Sequence, residues 1–196
     1  AGIPAFVATL DKAVTQIIQK FSKPGAIEAG DIFIVNDPFS GGVTHLNDVI
    51  VAMPIFAEGE LVAWSANIAH WNDVGGMTPG SMSTEATEIF QEGLQIPPIK
   101  LFSRGAPIQS VFDILTTNSR MPDYLIGDLW AGIASIRVGE RRVLELVKKY
   151  GKDVFLHALE QYMDYGEQVT LAATRSPIAP PAIAAFAART TGLCRR

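Results

Sequence analysis

Cysteine is nearly absent from this chain of 196 residues, since Cys194, close to the end, is the only one. An internal disulfide and a thiolate metal site are therefore excluded, and a cysteine nucleophile is not expected. Basic residues are not in excess either: 16 Lys and Arg against 20 Asp and Glu give a net charge of −4. Without a basic stripe, we expect no nucleic-acid partner. No apolar run reaches the roughly 18 residues of a membrane span and no leader pattern is visible, so we expect a cytoplasmic protein without a membrane partner.

A β-hairpin is predicted in the middle of the chain. The runs 49–56 and 61–69 are rich in β-branched and other apolar residues, which is typical of strands. Residues 57–60 between them fit a four-residue connection. Pairing Phe56 with Leu61 sets the register of the two strands.

This register brings two candidate ligands to the open end of the hairpin. Counting outward, Asp48 falls opposite Ala69 and Asn47 opposite His70. A one-residue bulge would leave Asp48 and His70 close but change the face to which they point. His45 lies three residues before Asp48, in a segment loosened by two glycines that can fold back onto the same point.

Two imidazoles and a carboxylate suit divalent manganese, iron or zinc, and open positions would make such a site catalytic. The alternative is a pair of hydrogen-bonded structural histidines. Asp37, before Pro38, fits either a further ligand or a turn former. Asp73 fits a general base, an acceptor that holds His70 in its ligating tautomer, or a turn former.

Short motifs run in order through residues 30–101 and carry a family resemblance. They are Gly30-Asp31, Asn36-Asp37-Pro38, Gly41-Gly42, Thr44-His45 with Asp48, Ala69-His70 with Asp73-Val74-Gly75-Gly76, Thr78-Pro79-Gly80-Ser81-Met82, Thr87-Glu88-Ile89, Gln91-Glu92-Gly93 and Ile96-Pro97-Pro98-Ile99-Lys100-Leu101. In this combination the chain resembles the hydantoinase B family, which contains B-type subunits of ATP-dependent hydantoinases and 5-oxoprolinases and α subunits of acetone and acetophenone carboxylases. Weaker matches, such as Asn118 with Arg120, extend the resemblance over about residues 5–168.

The resemblance implies that His45, Asp48 and His70 hold a divalent metal, manganese or zinc. The residue pattern adds Asp37 as a further candidate ligand. The resemblance also implies a hydantoinase A-type partner that uses ATP to phosphorylate a cyclic amide or a ketone-derived substrate. This chain would complete the chemistry with metal-activated water, with Asp73 as the favoured base and Glu88 as a weaker candidate. The sequence has no G-x-x-x-x-G-K-[ST] loop, which fits this division of labour.

The chain departs from the family pattern at two points. Trp71 and Asn72 stand where many members have a second histidine after the one that matches His70. Family members are also several hundred residues long, so we expect residues 1–175 to be a partial domain. The Ala- and Pro-rich tail 176–196 is expected to be disordered or the product of a shifted reading frame.

The predicted fold is α+β, with a helix at 5–21 and a mixed or antiparallel sheet within 1–102 that carries the metal-bearing hairpin. A strand at 32–35 precedes the hairpin, and a polar loop at 75–95 follows it, with a helical turn near 85–91. In that turn two glutamates four residues apart, Glu88 and Glu92, would share a face that is either solvated or catalytic.

The segment 103–175 is predicted to be helical, and we interpret His157 within it as structural. Glycine at position 151 suits a helix C-cap. The predicted helices are 108–118, 122–138, 140–150 and 153–165.

We therefore expect the metal-bearing subunit of an ATP-dependent hydantoinase or 5-oxoprolinase. The principal alternative is the α subunit of a ketone carboxylase, in which the same metal binds the enol phosphate or a bicarbonate-derived species. An inactive fragment that only binds its partner is a third possibility. A mononuclear iron oxygenase also uses two histidines and a carboxylate, but the resemblance argues against it.

Overall fold

The computed structural model describes residues 9–174, so the predicted tail 176–196 lies outside the described residues. The strands form one sheet in the order β3-β2-β1-β4-β5, and every pair is antiparallel. The elements in chain order are α1 (Thr9–Lys20), β1 (Ile32–Val35), β2 (Asp48–Ala57), β3 (Glu60–His70), β4 (Ile99–Ser103), β5 (Ala106–Pro107), α2 (Gln109–Thr117), α3 (Pro122–Tyr150) and α4 (Lys152–Thr174). The predicted α+β class and the helical C-terminal segment are confirmed.

Helices cover both faces of the sheet, and the side chains of the buried strands alternate between these two faces. In β1, Ile32 and Ile34 belong to one apolar cluster, whereas Phe33 and Val35 lie on the opposite face. The second face packs against α1, chiefly through Ala13 and Ile17. The first face packs against α2 and α3 through Phe112, Leu115, Leu125, Leu129, Ile133 and Ile136.

The hairpin connection is shorter than predicted, and this changes the register. Glu58 and Gly59 both have positive φ, at 53° and 81°, and Ala57 pairs with Glu60 across them. Such a two-residue turn with positive φ at both positions matches the right-handed twist of the strands. Phe56 pairs with Leu61 as predicted, but Ile55 pairs with Ala63, so one residue of β3 bulges out.

The bulge shifts every following pair by one position, and Asp48 consequently lies opposite His70 rather than Ala69. The predicted register was wrong beyond the turn, because a sequence pattern does not show where an extra residue is accommodated. The observed register brings the candidate site closer together than the predicted one. The two candidate ligands are direct neighbours across the ladder.

Strands β4 and β5 were not predicted. They form a hairpin around Arg104 and Gly105, both with positive φ, and β4 pairs with β1. Lys100 on β4 forms an ion pair of 2.7 Å with fully buried Asp31. Because Asp31 also accepts hydrogen bonds from the amides of Glu28 and Arg104, the buried carboxylate has several partners.

Helix α3 is continuous over 29 residues, whereas the sequence predicted two helices separated near Gly139. Gly151, with φ of 88°, follows the helix and acts as the predicted C-cap. The contacts of the described residues divide the chain into two compact units, one up to Glu145 and one from Leu146. Among residues 9–174, no helix is both long and apolar enough to cross a membrane.

Gly139 remains inside α3 because the helix approaches β3 closely there. A Cβ atom at Gly139 would lie 2.2 Å from Ser65 Oγ and 3.2 Å from Ser65 Cβ, whereas a Cβ at Gly127 would meet nothing within 4 Å. We expect Gly127→Ala to raise the free energy of unfolding by roughly 0.5–1 kcal/mol through helix propensity. Gly139→Ala should lower the free energy of unfolding by about 1–2 kcal/mol, because overpacking against Ser65 outweighs the gain in helix propensity.

Urea unfolding of the two variants would measure this difference. Ser65→Ala in the Gly139→Ala background removes the closest atom and should recover most of the loss. Equal stabilisation by both glycine substitutions would show that α3 does not rest on β3 at Ser65.

Candidate functional site

Asp48 and His70 form the last pair of the β2–β3 ladder. Residues that pair across an antiparallel ladder point to the same face, and Asp48 is in phase with Ile50 and Ala52, which face α1. Asp48 is 1% exposed, whereas His70 is exposed at the strand end. The pair therefore joins a buried carboxylate to an accessible imidazole.

His45 completes the cluster because the chain before β2 turns back on itself. The amide of Asp48 donates to the carbonyl of His45 at 3.1 Å, and the amide of Asn47 donates to His45 Nδ1 at 3.2 Å. The His45 and His70 rings lie edge to face with centroids 4.9 Å apart. His45 Nε2 lies 3.8 Å from Asp48 Oδ2. The three predicted ligands are thus neighbours in space.

Thr44 orients the carboxylate, since its Oγ1 donates to Asp48 Oδ2 at 2.5 Å. Nδ1 of His45 accepts a hydrogen bond from the Asn47 amide. The neutral ring therefore carries its proton on Nε2, which faces Asp48. A metal on Nε2 would require the other tautomer. The hydrogen bond from Asn47 would then have to be given up.

The donor types in this cluster suit a divalent cation, since two imidazoles and one carboxylate lie near one another at the edge of the sheet. In residues 9–174, however, no group of three or more His, Cys, Asp and Glu side chains is placed so that it could hold a metal ion. The structure thus shows the hairpin and the cluster. The metal itself stays a prediction.

Asp37 has the contacts of a turn former. Its Oδ1 accepts from the Phe39 amide at 2.9 Å and from Gln95 Nε2 at 2.9 Å, and its Oδ2 accepts from the Ser40 hydroxyl. Burial acts to raise the pKa of Asp37, but the hydrogen bonds from Ser40, Phe39 and Gln95 outweigh it and hold the pKa below the usual value. A role of Asp37 as a metal ligand stays a prediction.

Asp73 is buried, and both oxygens of its carboxylate accept hydrogen bonds. Its carboxylate accepts from the amides of Gly75, Gly80 and Arg120 and from Arg120 Nη1, at 2.9–3.1 Å. Burial acts to raise the pKa of Asp73, but these hydrogen bonds prevail and lower it. A carboxylate with a lowered pKa is a weak proton acceptor. Its role as general base stays a prediction, and the contacts favour a role in holding the loop.

Glu88 is exposed and extended, with φ of −146° and ψ of 152°, and it precedes a short 3-10 helix at Ile89–Gln91. It therefore shares no α-helical face with Glu92, so the helical condition under which the two carboxylates would lie on one face is not met. The side chain of Gln91 accepts hydrogen bonds from the amides of Thr87 and Glu88. This local bonding favours a tight turn instead of a full helix. A catalytic role of Glu88 stays a prediction.

Sequence reasoning assigned no role to two residues near the cluster. Asn47 Nδ2 donates to the carbonyls of Trp71 and Gly80, and Arg120 contacts the loop after His70 repeatedly. The motif Asn118 with Arg120 was the only sequence signal for this region. The partners of Arg120 cannot be read from spacing, because the contacts span more than 40 residues.

The Hydantoinase B/oxoprolinase family model matches residues 1–180. The chain belongs to the hydantoinase B/oxoprolinase family. This hydantoinase B-type chain is 34% identical to a putative D-/L-hydantoinase B-type subunit from a Pseudomonas species, over 85% of the chain and 27% of that protein. The resemblance noted from the motifs is thereby confirmed.

Two solved structures share its fold. The ATP-dependent caprolactamase of Pseudomonas jessenii superposes with a TM-score of 0.82 and 34% identity, covering 88% of this chain and 29% of that one. A nucleotide-free acetone carboxylase superposes with a TM-score of 0.75 and 27% identity, over 80% of this chain and 20% of that one. This hydantoinase B-type chain spans less than a third of the length of the curated relatives it matches.

Proposed function

We propose that this chain is the metal-bearing part of an ATP-dependent cyclic-amide hydrolase of the hydantoinase or 5-oxoprolinase type. The observation that carries the proposal is the convergence of His45, Asp48 and His70 at one edge of the sheet. Family membership supports the reaction class, because the family is that of hydantoinase B and oxoprolinase.

In this proposal His45, Asp48 and His70 hold one manganese or zinc ion. When bound, such an ion would lower the pKa of a coordinated water to about 7 and so would supply a nucleophile at neutral pH. Asp48 provides negative charge in a buried position, where water screens it little. The exposed ring of His70 keeps the site open to a substrate.

A partner subunit of the hydantoinase A type is proposed to use ATP and to phosphorylate the carbonyl of the cyclic amide. The names of two relatives support a multi-subunit assembly, since both a hydantoinase and a caprolactamase relative are named as subunits. Phosphorylation would make the carbonyl carbon a better target for the nucleophile at the metal site. This chain would then complete the hydrolysis of the C–N bond.

A ketone carboxylase is the second candidate, and the structural similarity to an acetone carboxylase favours it. In that function the same three residues would hold a metal that binds an enol phosphate or a bicarbonate-derived species. The two functions differ in their co-substrate. Carboxylation requires bicarbonate, and hydrolysis does not.

An assay of the assembled complex distinguishes the two functions. The chain, in its full-length context, is combined with its ATP-using partner, and ATP consumption is measured with hydantoin, 5-oxoproline, or acetone plus bicarbonate. We expect ATP consumption coupled to ring opening of one of the cyclic amides, without bicarbonate. Turnover of acetone only with bicarbonate would establish the carboxylase instead, and no substrate-dependent turnover would leave a chain that only binds its partner.

A further inference from the structure

Arg120 lies just before α3 and donates five hydrogen bonds to the loop that follows His70. Nη1 donates to Asp73 Oδ2 at 3.0 Å and to the carbonyls of Gly75 and Thr78 at 3.3 and 3.2 Å. Nη2 donates to the carbonyl of Gly76 at 2.5 Å, and the backbone amide of Arg120 donates to Asp73 Oδ1 at 3.1 Å. One guanidinium therefore hydrogen-bonds to three carbonyls and one carboxylate.

These acceptors need a cation among them. Asp73 is 2% exposed, so its negative charge is screened little by water, and the three carbonyl dipoles point at the same place. Removal of a charged partner from a buried ion costs far more than loss of a surface pair. The planar, multidentate guanidinium satisfies this geometry, whereas a lysine ammonium presents one point charge.

The loop held in this way is directly continuous with β3. His70 is the last residue of the strand, and the next residue, Trp71, is buried and donates its amide to the carbonyl of Asn47. Asn47 Nδ2 in turn donates to the carbonyls of Trp71 and Gly80. The loop is thus attached at the open end of the hairpin, and Arg120 holds its middle.

The backbone of this loop adopts positive φ at four residues, a conformation that side chains disfavour. Gly75, Gly76 and Gly80 all have φ between 83° and 94°, and Ser81 has φ of 59° despite its side chain. Conformations of this kind persist only when surrounding contacts determine them. Arg120 supplies four of those contacts from its side chain, and the Ser81 hydroxyl bridges the Val74 amide and the Gly75 carbonyl.

We propose that Arg120 is a positioning residue for the metal site, acting through Asp73 and the loop 71–81 to hold His70 beside His45 and Asp48. This inference rests on the proposed function only in naming a metal as the ligand of those three residues. Arg120 itself does not contact any of them. Its contacts are to residues 73–78, which follow closely on the ladder pair of His70 with Asp48.

The test compares Arg120→Lys and Arg120→Ala with wild type in the whole chain. Binding of Mn²⁺ is followed by the electron paramagnetic resonance signal of free Mn²⁺, and folding by circular dichroism. We expect at least a tenfold weaker Mn²⁺ affinity in both variants with secondary structure retained. Arg142→Ala is the matched control, because Arg142 pairs with Glu145 on an exposed surface, and it should leave the affinity unchanged.

Chemical rescue separates positioning from general destabilisation. Millimolar methylguanidinium should restore at least part of the Mn²⁺ affinity of Arg120→Ala, because it refills the space among the carbonyls and Asp73. Ethylammonium at the same concentration should not. Undiminished Mn²⁺ affinity in a folded Arg120→Ala variant would overturn the inference, and if that variant does not fold, the same criterion applies to Arg120→Lys.

A metal-free measurement keeps this inference distinguishable from the proposed function. If wild type binds no Mn²⁺, the metal assignment fails, and the role of Arg120 is judged by amide hydrogen exchange of residues 71–81 and by the ring resonances of His70. Faster exchange together with shifted His70 resonances in Arg120→Lys would support positioning. Unchanged His70 resonances would refute it.

Discussion

His70→Ala is expected to reduce bound manganese from about one ion per chain to background. An open site with three protein ligands loses a large share of its binding free energy with any one of them. Even loss of a group that only orients a ligand costs 10- to 100-fold in affinity, so loss of a ligand should cost more than about 100-fold. Elemental analysis after dialysis against a manganese-containing and then a metal-free buffer measures this.

His157→Ala is the matched control for this experiment. His157 is exposed on α4, so its removal should leave the metal content at the wild-type value. Parallel loading with zinc would show which ion is retained. Equal metal content in wild type and His70→Ala would refute the assignment of the site.

Asp48→Ala in the complete assembly is expected to remove ATP-dependent turnover, by a factor of at least about 100. Asp48 is the buried, charged member of the cluster, and an open metal site cannot activate water once a ligand is missing. His45→Ala should have the same effect. Turnover is measured with the cyclic amide that the wild-type assembly hydrolyses, at saturating ATP.

The isolated chain provides the complementary measurement. Because the ATP site is proposed to belong to the partner, this chain alone should hydrolyse neither ATP nor a cyclic amide, even with metal present. ATP-dependent turnover by the isolated chain would contradict the division of labour. Full activity of the Asp48→Ala assembly would show that the metal is structural or absent.

The elements around the site were largely predictable because their signals are local. Alternation and β-branched residues indicated β1, β2 and β3, and helical spacing indicated α1, α2 and α4. The close approach of Asp48 to His70 followed from the pairing of Phe56 with Leu61 alone. In contrast, β4 was missed, because its short run follows two prolines and gains its strand conformation from pairing with β1.

The break predicted within α3 illustrates the limit of propensity. Glycine disfavours a helix interior by about 1 kcal/mol, which suggested a boundary near Gly139. The helix nevertheless continues, because a residue without a side chain allows it to lie against Ser65 of β3. Tertiary packing outweighed local preference, and the sequence contains no local sign of that contact.

By itself, the sequence determined the family, the α+β class and the three residues at the open end of the hairpin, because motifs and strand periodicity depend on neighbouring residues. Only the tertiary structure decided that Asp48 lies directly opposite His70 and that Asp73 is bound by Arg120. The first depends on where a single extra residue bulges out of β3. The second joins residues 47 positions apart, and such a contact is selected by the free energy of the whole fold, not by the spacing of either segment.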